Sequence, residues 1–202
     1  SLQLSLGNNK ITRLTYLDTF VDGAAVRTIG NINFEIAKTN VDNCYSFHKN
    51  EICYNLVNIY QNDGIILEPA SAIGFCILDK IKEEIKGKNV VIILSGGNND
   101  ILRYNEILER SLIYQDLKHY FIIDFNQRPG QLKEFVNKIL LSNIDITRLE
   151  YLKKTNKEKG SVLLGIELNN KYQYHIFIEN LNKYDYRYKK ITEDSLIYNY
   201  LI

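Results

Sequence analysis

The 202-residue sequence predicts an α/β protein built in two units. Two observations carry that expectation. Between residues 65 and 94, two short apolar runs, Ile65-Ile66-Leu67 and Val90–Leu94, flank a helical stripe of Ile73, Ile77, Leu78, Ile81 and Ile85. That is the pattern of a strand–helix–strand crossover in a parallel sheet. From His119 onward, period-two alternation and amphipathic helical stripes take turns, in the order β-α-β-β-α-β of a ferredoxin-like split.

The elements follow in order. Ser1 to Lys10 is polar and weakly patterned and reads as a frayed start. Leu14, Leu17, Phe20 and Val21 form a short helical stripe, and Asp22-Gly23-Ala24-Ala25-Val26 is a turn of small residues suited to close contact. A helix is expected from Thr28-Ile29-Gly30 to about Asn40, then a short strand over 41–47. Ile52, Cys53, Leu56, Val57 and Tyr60 set a helix over 50–61, which Asn62-Asp63-Gly64 stops. Ile65–Leu67 reads as a strand. Pro69 suits the first turn of the next helix, where its missing N–H costs nothing. Ala70, Ser71, Ala72 and Gly74 keep the start of that helix thin, and Lys80, Lys82, Glu83, Glu84 and Lys86 face water.

Gly87-Lys88-Asn89 then turns into Val90–Leu94, an apolar run that reads as a strand buried on both faces. Ligands of open α/β sheets sit outside the carboxyl ends of such strands. Ser95 stands at that end, and Gly96 and Gly97 let the backbone approach a flat ligand. An ordinary Gly-Gly turn after a core strand fits the same string. Residues 99–116 read as a helical connection to the second unit.

In the second unit, Phe121, Ile123 and Phe125 alternate as a strand. Arg128-Pro129-Gly130 opens a helix carrying Leu132, Phe135, Val136, Ile139 and Leu140. A second strand is expected over 145–154, with a turn over 157–160. Val162, Leu164, Ile166 and Leu168 mark a third strand, and Tyr174, Phe177, Ile178 and Leu181 a second helix. Residues 186–191 supply a fourth strand, and 196–202 an apolar tail.

Composition bounds the partners. Apolar residues make up 45% and charged residues 24%, a globular balance. With a net charge of +1 and no basic block, nucleic acid is not a favoured partner. No apolar run reaches membrane-spanning length, and the first residues lack a signal-peptide pattern. Cys44, Cys53 and Cys76 are odd in number and lack CxxC spacing, which fits a reduced, cytoplasmic setting. His48, His119 and His175 have no metal-ligand spacing, so no metal site is expected. A chain that opens on Ser1 and contains no Met reads as a processed product or the tail of a longer polypeptide.

An ordered set of motifs then narrows the reading. They are Phe20-Val21-Asp22-Gly23-Ala24-Ala25-Val26, Glu68-Pro69-Ala70, Leu94-Ser95-Gly96-Gly97-Asn98, Glu109-Arg110-Ser111 and Leu117-Lys118-His119-Tyr120-Phe121. They continue as Gln127-Arg128-Pro129-Gly130, Asp145-Ile146-Thr147 and Tyr151-Leu152-Lys153-Lys154-Thr155-Asn156. In that order they resemble the C-terminal part of the biosynthetic threonine dehydratases (threonine ammonia-lyases), in the shorter form with one ACT-like domain. The resemblance covers about positions 11 to 202.

The resemblance implies two domains. Residues 1–113 would be the end of a fold-type II, pyridoxal 5'-phosphate-dependent catalytic domain, a parallel sheet with helices. Residues 114–202 would be a ferredoxin-like βαββαβ ACT-like regulatory domain. The family's Schiff-base lysine motif, its Ser/Ala-Gly-Asn-His loop and its run of four glycines do not occur in this sequence. The chain would therefore be inactive alone. Ser71 stands where the family usually has Gly, a change expected to crowd the Glu68 turn.

The implied reaction of the whole enzyme takes L-threonine to 2-oxobutanoate and ammonia, the first step of isoleucine synthesis. Ser95 would sit against the cofactor's pyridine nitrogen, with Gly96 and Gly97 leaving room for the ring and Glu68 facing the cofactor. As plain alternatives, Ser95 would cap a strand end and Glu68 a helix. In the second domain, the helix start at Pro129 and Gly130 would present its N–H groups to an amino-acid carboxylate, and Arg128 would either add charge there or be a plain solvated surface residue. Phe125 and Tyr151 would serve the apolar part of the same effector site, though plain core residues are the commoner case. The effectors implied are L-isoleucine as inhibitor and L-valine as antagonist. Half a catalytic core would leave apolar faces bare, so a homo-oligomer is expected. Two alternatives stay open: a stand-alone amino-acid-binding regulatory protein, and a related serine/threonine dehydratase.

Overall fold

The computed structural model describes residues 1–140, 143–152 and 158–202. The chain divides into a first unit, Ser1–Ser111, and a second, Leu112–Ile202.

The first unit is helical among its described residues. It comprises α1 (Leu2–Gly7), α2 (Asn31–Asn40), α3 (Lys49–Asp63), α4 (Pro69–Ala72), α5 (Lys82–Ile85) and the start of α6 (Tyr104–Tyr114). Its core forms on α3, whose Ile52, Cys53 and Leu56 pack with Ala72, Cys76 and Ile107. The boundaries of α3 have local causes. His48 Nδ1 accepts from the Asn50 N–H at the start, and Gly64 takes a left-handed φ of 68° at the end, where a side chain would be strained. Burial raises the Cys53 thiol to about 12 and the Cys76 thiol to about 11.

Several expectations for this unit are corrected. Residues 41–47, 65–67 and 90–94 are not strands. A strand is stabilised by pairing its backbone with a neighbour, and no strand in this unit offers one. Instead of being buried on both faces, Val91 and Ile93 are 88% and 82% exposed. The long helix expected after Pro69 is broken into α4, a 3-10 turn over Ile73–Phe75, and α5. Its apolar stripe has no sheet to pack on, and short helices persist mainly through such packing. The stripe at 14–21 forms no helix, and a 3-10 turn follows it at Asp22–Ala24. The start, far from frayed, is helix α1, with Ser5 buried and its Oγ accepting from the Thr12 N–H at 3.0 Å. What survives of the crossover is a side-by-side run of two segments. The Glu68 N–H donates to Gly96 O at 3.1 Å, and Asn99 Nδ2 donates to Leu67 O at 3.4 Å.

The second unit carries β1 (Lys118–Asn126), α7 (Gln131–Ile139), β2 (Asp145–Tyr151), β3 (Lys159–Glu167), α8 (Lys171–Lys183), β4 (Tyr188–Lys190) and α9 (Tyr198–Leu201). The sheet order is β2-β3-β1-β4, with antiparallel neighbours throughout. The β-α-β-β-α-β order is the expected one. β2 ends at Tyr151, and the part of its expected span at Lys153 and Lys154 lies outside the described residues. β4 is shorter than expected, but pairing continues past its ends through Asp124 N–H to Arg187 O and Ile191 N–H to Tyr120 O.

Alternation decides the faces. Phe121, Ile123 and Phe125 of β1 and Val162, Leu164 and Ile166 of β3 are fully buried with Phe135, Ile139, Phe177 and Leu181 of α7 and α8. On the opposite face, Tyr120 packs with Ile191, Tyr198 and Leu201. The apolar tail expected over 196–202 thus becomes α9, lying on the sheet. A capping box between Asn170 and Gln173 starts α8.

Candidate functional site

In the first unit the sequence-predicted residues Glu68, Ser95, Gly96 and Gly97 come together. Glu68 is the residue before α4, and Pro69 at the first helical position fixes the chain direction there. Ser95 Oγ lies 3.3 Å from Glu68 Oε1 and 3.0 Å from Ser71 Oγ. Ser71 is expected from the sequence only to keep the helix start thin and to crowd the Glu68 turn. It is 2% exposed, its Oγ accepts from the Gly96 N–H at 2.8 Å, and its hydroxyl donates to Gly96 O at 2.8 Å. It does not crowd the Glu68 turn but ties it to the Ser95 segment.

The glycines are explained by close approach of the chain to itself. A Cβ on Gly96 would lie 3.0 Å from Glu68 Oε1, and one on Gly97 would lie 2.8 Å from Ile66 O. The small-residue turn at Asp22–Val26 reaches the same place, since a Cβ on Gly23 would stand 3.1 Å from Ala70 Cβ and 3.8 Å from Glu68 Oε1. Asn98 is exposed and caps nothing; Asp100 supplies the next cap, accepting from the Leu102 N–H.

In the second unit the turn from β1 to α7 borders a cavity of about 180 Å³ lined by Asp124, Asn126, Arg128, Gln131, Tyr186 and Arg187, among others. Arg128 donates to Gln131 Oε1 at 3.1 Å and to Glu134 Oε2 at 2.6 Å. Gln131 is buried and donates to Tyr186 Oη at 2.6 Å. The hydrogen bond from Lys138, with the charges of Lys138 and Arg128, holds the Glu134 carboxyl below its usual range. Gly130 precedes α7 with φ 83°, a conformation that favours glycine. Pro129 and Gly130 shape the turn without lining the cavity. Phe125 and Tyr151 do not line it either. Phe125 is wholly buried, with ring centroids of Phe135, Tyr151 and Tyr186 at 4.7, 5.6 and 5.7 Å. Phe125 sits on the helix-facing side because β1 alternates, so Asp124 and Asn126 line the cavity instead, and Tyr151 of β2 packs against the same core as Phe125.

His119 is buried in the same unit. Burial, and then the charge of Lys190, push its imidazole down to about 4. Its Nε2 stands 2.9 Å from Asp116 O, a carbonyl that can only accept, so the neutral ring carries its proton there. Among the described residues no helix is long and apolar enough to cross a membrane.

Comparison with known proteins agrees with this division. Residues 1–96 match the pyridoxal-phosphate-dependent enzyme family, and residues 109–201 match the C-terminal regulatory domain of threonine dehydratase. The chain is 47% identical, over all 202 residues, to the biosynthetic L-threonine dehydratase IlvA of Halalkalibacterium halodurans, covering 49% of that protein. It is 45% identical over 192 residues to the enzyme of the same name from Bacillus subtilis, covering 95% of this chain and 46% of that one. The processed form of threonine deaminase isoform 2 from Solanum lycopersicum aligns in structure with a TM-score of 0.50 at 28% identity, over 55% of this chain and 33% of that one. The chain spans about half the length of the curated relatives it matches.

A pyridoxal-phosphate enzyme segment followed by a regulatory domain is thus the class that the two units define. Within that class, the chain belongs to the biosynthetic threonine dehydratase family. Pyridoxal 5'-phosphate is the cofactor of that family.

Proposed function

We propose that this chain supplies the cofactor-facing Glu68 and Ser95 segments and the effector-sensing domain of a cytoplasmic, homo-oligomeric threonine ammonia-lyase. The whole protein would convert L-threonine to 2-oxobutanoate and ammonia. The observation that carries the reading is the match of residues 109–201 to a threonine dehydratase regulatory domain, together with a β-α-β-β-α-β unit that holds a polar cavity at its first turn.

The residues of the first unit suit the cofactor. Ser95 presents an exposed hydroxyl, Gly96 and Gly97 carry no side chain beside it, and Glu68 stands 3.3 Å away. When bound, pyridoxal 5'-phosphate supplies an electron sink. Ser95 would orient its pyridine edge by a hydrogen bond. A hydroxyl, unlike a carboxylate, does not hold a pyridine nitrogen protonated, which favours prompt loss of the β-hydroxyl over side reactions. Glu68 would line the same edge.

In the second unit, the effector would be a small amino acid, L-isoleucine, with L-valine as its antagonist. The Arg128 guanidinium suits its carboxylate, and Asp124 suits its ammonium. Calorimetric titration with L-isoleucine tests this, with L-valine and L-threonine as comparisons. Saturable binding, tighter for isoleucine than threonine, is expected, with a stabilisation of about 2.7 kcal/mol at a hundredfold excess over Kd. No binding of any of the three would overturn the sensing assignment.

A further inference from the structure

Ser71 Oγ has one proton and two lone pairs, and three partners surround it. The Gly96 N–H donates to it at 2.8 Å, Gly96 O stands 2.8 Å away, and Ser95 Oγ stands 3.0 Å away. Both polar groups of one residue, Gly96, therefore grip this hydroxyl, and its burial leaves no room for solvent to compete.

We propose that Ser71 is a positioning residue that holds the Ser95 side chain in one rotamer and lets its proton point either inward or outward. The proposal rests on the reading of Ser95 as the group that faces the cofactor's ring nitrogen. With no acceptor outside, Ser71 donates to Gly96 O, and the Ser95 hydroxyl donates inward, to Ser71 Oγ or to Glu68 Oε1 at 3.3 Å. With an aromatic nitrogen outside, the Ser95 proton turns to it, and Ser71 swings its own proton from Gly96 O to Ser95 Oγ.

Such a swing normally leaves a buried carbonyl unpaired, at a cost of roughly 1–3 kcal/mol. Here it does not. Gly96 O also accepts from the Glu68 N–H at 3.1 Å, so it keeps a partner in both arrangements. The Gly96 N–H likewise keeps Ser71 Oγ as its acceptor throughout. The pair can thus reverse its direction with no buried group left orphaned.

Without the Ser71 hydroxyl the arrangement fails in two places. The Gly96 N–H loses its acceptor, and Ser95 keeps only the longer contact to Glu68. That single 3.3 Å contact ends on a flexible carboxylate, so the Ser95 side chain is then free to change rotamer.

The test is made on the 202-residue chain by NMR, comparing it with Ser71→Ala, Ser71→Gly and Ser71→Thr. Two quantities are read: the Hα–Hβ couplings of Ser95, which report its rotamer, and the exchange rate of the Gly96 amide. The Ile52 amide in α3 serves as the check that the first unit is folded. The unmodified chain is expected to show a single Ser95 rotamer. Ser71→Ala and Ser71→Gly are expected to average it and to speed Gly96 exchange at least tenfold, with Ile52 unchanged. Ser71→Thr, which keeps the hydroxyl, is expected to restore both. A Ser95 that already averages in the unmodified chain, or one that stays fixed without the hydroxyl, overturns the proposal. Neither result depends on effector binding, so this outcome and that of the isoleucine titration are read separately.

Discussion

Arg103 grips Phe20 twice: its guanidinium donates to the Phe20 carbonyl at 2.7 Å and stands 4.8 Å from the centre of the same residue's ring. Arg110 stands 5.0 Å from that ring as well, and its charge is matched by Glu106 at 2.7 Å. Phe20 leads into the Asp22–Ala24 turn, whose Gly23 abuts Ala70 and Glu68. Removing the Arg103 side chain by Arg103→Ala is expected to destabilise the first unit by about 1–3 kcal/mol, the sum of a charged hydrogen bond and a cation–π contact. Urea unfolding followed by a probe in α3 measures it. A loss below about 0.3 kcal/mol would mean that the contact carries no net stability.

Gly96 and Gly97 are adjacent and are expected to tolerate alanine differently. At Gly97 the added Cβ meets the Ile66 backbone carbonyl at 2.8 Å, which cannot rotate away. At Gly96 it meets the flexible end of Glu68 at 3.0 Å. Gly97→Ala is therefore expected to cost about 1–3 kcal/mol, as an overpacked site does, and Gly96→Ala less. The same unfolding measurement ranks them, and the reverse order would contradict the packing described.

His119 makes the second unit sensitive to acid. Its folded pKa, about 4, lies below the ordinary 6.5. Between those two values the unfolded chain binds a proton that the folded chain refuses. Stability is then full above about pH 6.5, falls as the pH drops towards 4, and changes no further from this group below that. The linkage amounts to up to about 3 kcal/mol. Lys190 adds to the depression of the pKa and Asp116 opposes it. His119→Phe is expected to flatten the stability–pH curve of the second unit between pH 6.5 and 4, and an unchanged slope would rule this group out as its source.

Phe125 and Phe135 meet at 4.7 Å between ring centroids, both wholly buried. Phe125→Ala is expected to cost about 3–5 kcal/mol through lost burial and a residual cavity. If Phe125 instead served an effector, its loss would lower isoleucine affinity with little change in stability. Thermal unfolding and titration on the same variant separate the two.

The thiols divide by burial. Cys53 and Cys76 are buried, with pKa raised to about 12 and about 11, while Cys44 is half-buried. Since the thiolate is the reactive form, one cysteine per folded chain, Cys44, is expected to react with iodoacetamide at pH 8. Mass spectrometry of the tryptic peptides identifies it.

The second unit was legible because its signals are local and close on themselves. Alternation at Phe121, Ile123 and Phe125, and the stripe Phe135, Ile139 on α7, each announce one face, and those faces meet within the unit. The first unit was less legible for a physical reason. The run Val90–Leu94 states that its residues seek burial, not what buries them, and without a pairing neighbour it forms no strand. The proximity of Glu68 to Ser95 followed from the expected crossover. The role of Ser71 did not, because it arises from bonds to Ser95 and Gly96, 24 and 25 positions away, that no local pattern encodes.

The sheet order β2-β3-β1-β4 sets when the second unit can be finished. β1 is the first of the four strands to leave the ribosome, yet it lies between the last two. Its apolar side chains must wait, without a partner, until residues as late as Glu167 and Lys190 have been made. Helix α7 can form in the interval and shield one side of it, and pairing over such distances is slow compared with helix formation. The same strand that anchors the finished domain is therefore the segment most exposed to misassembly while the chain is being synthesised.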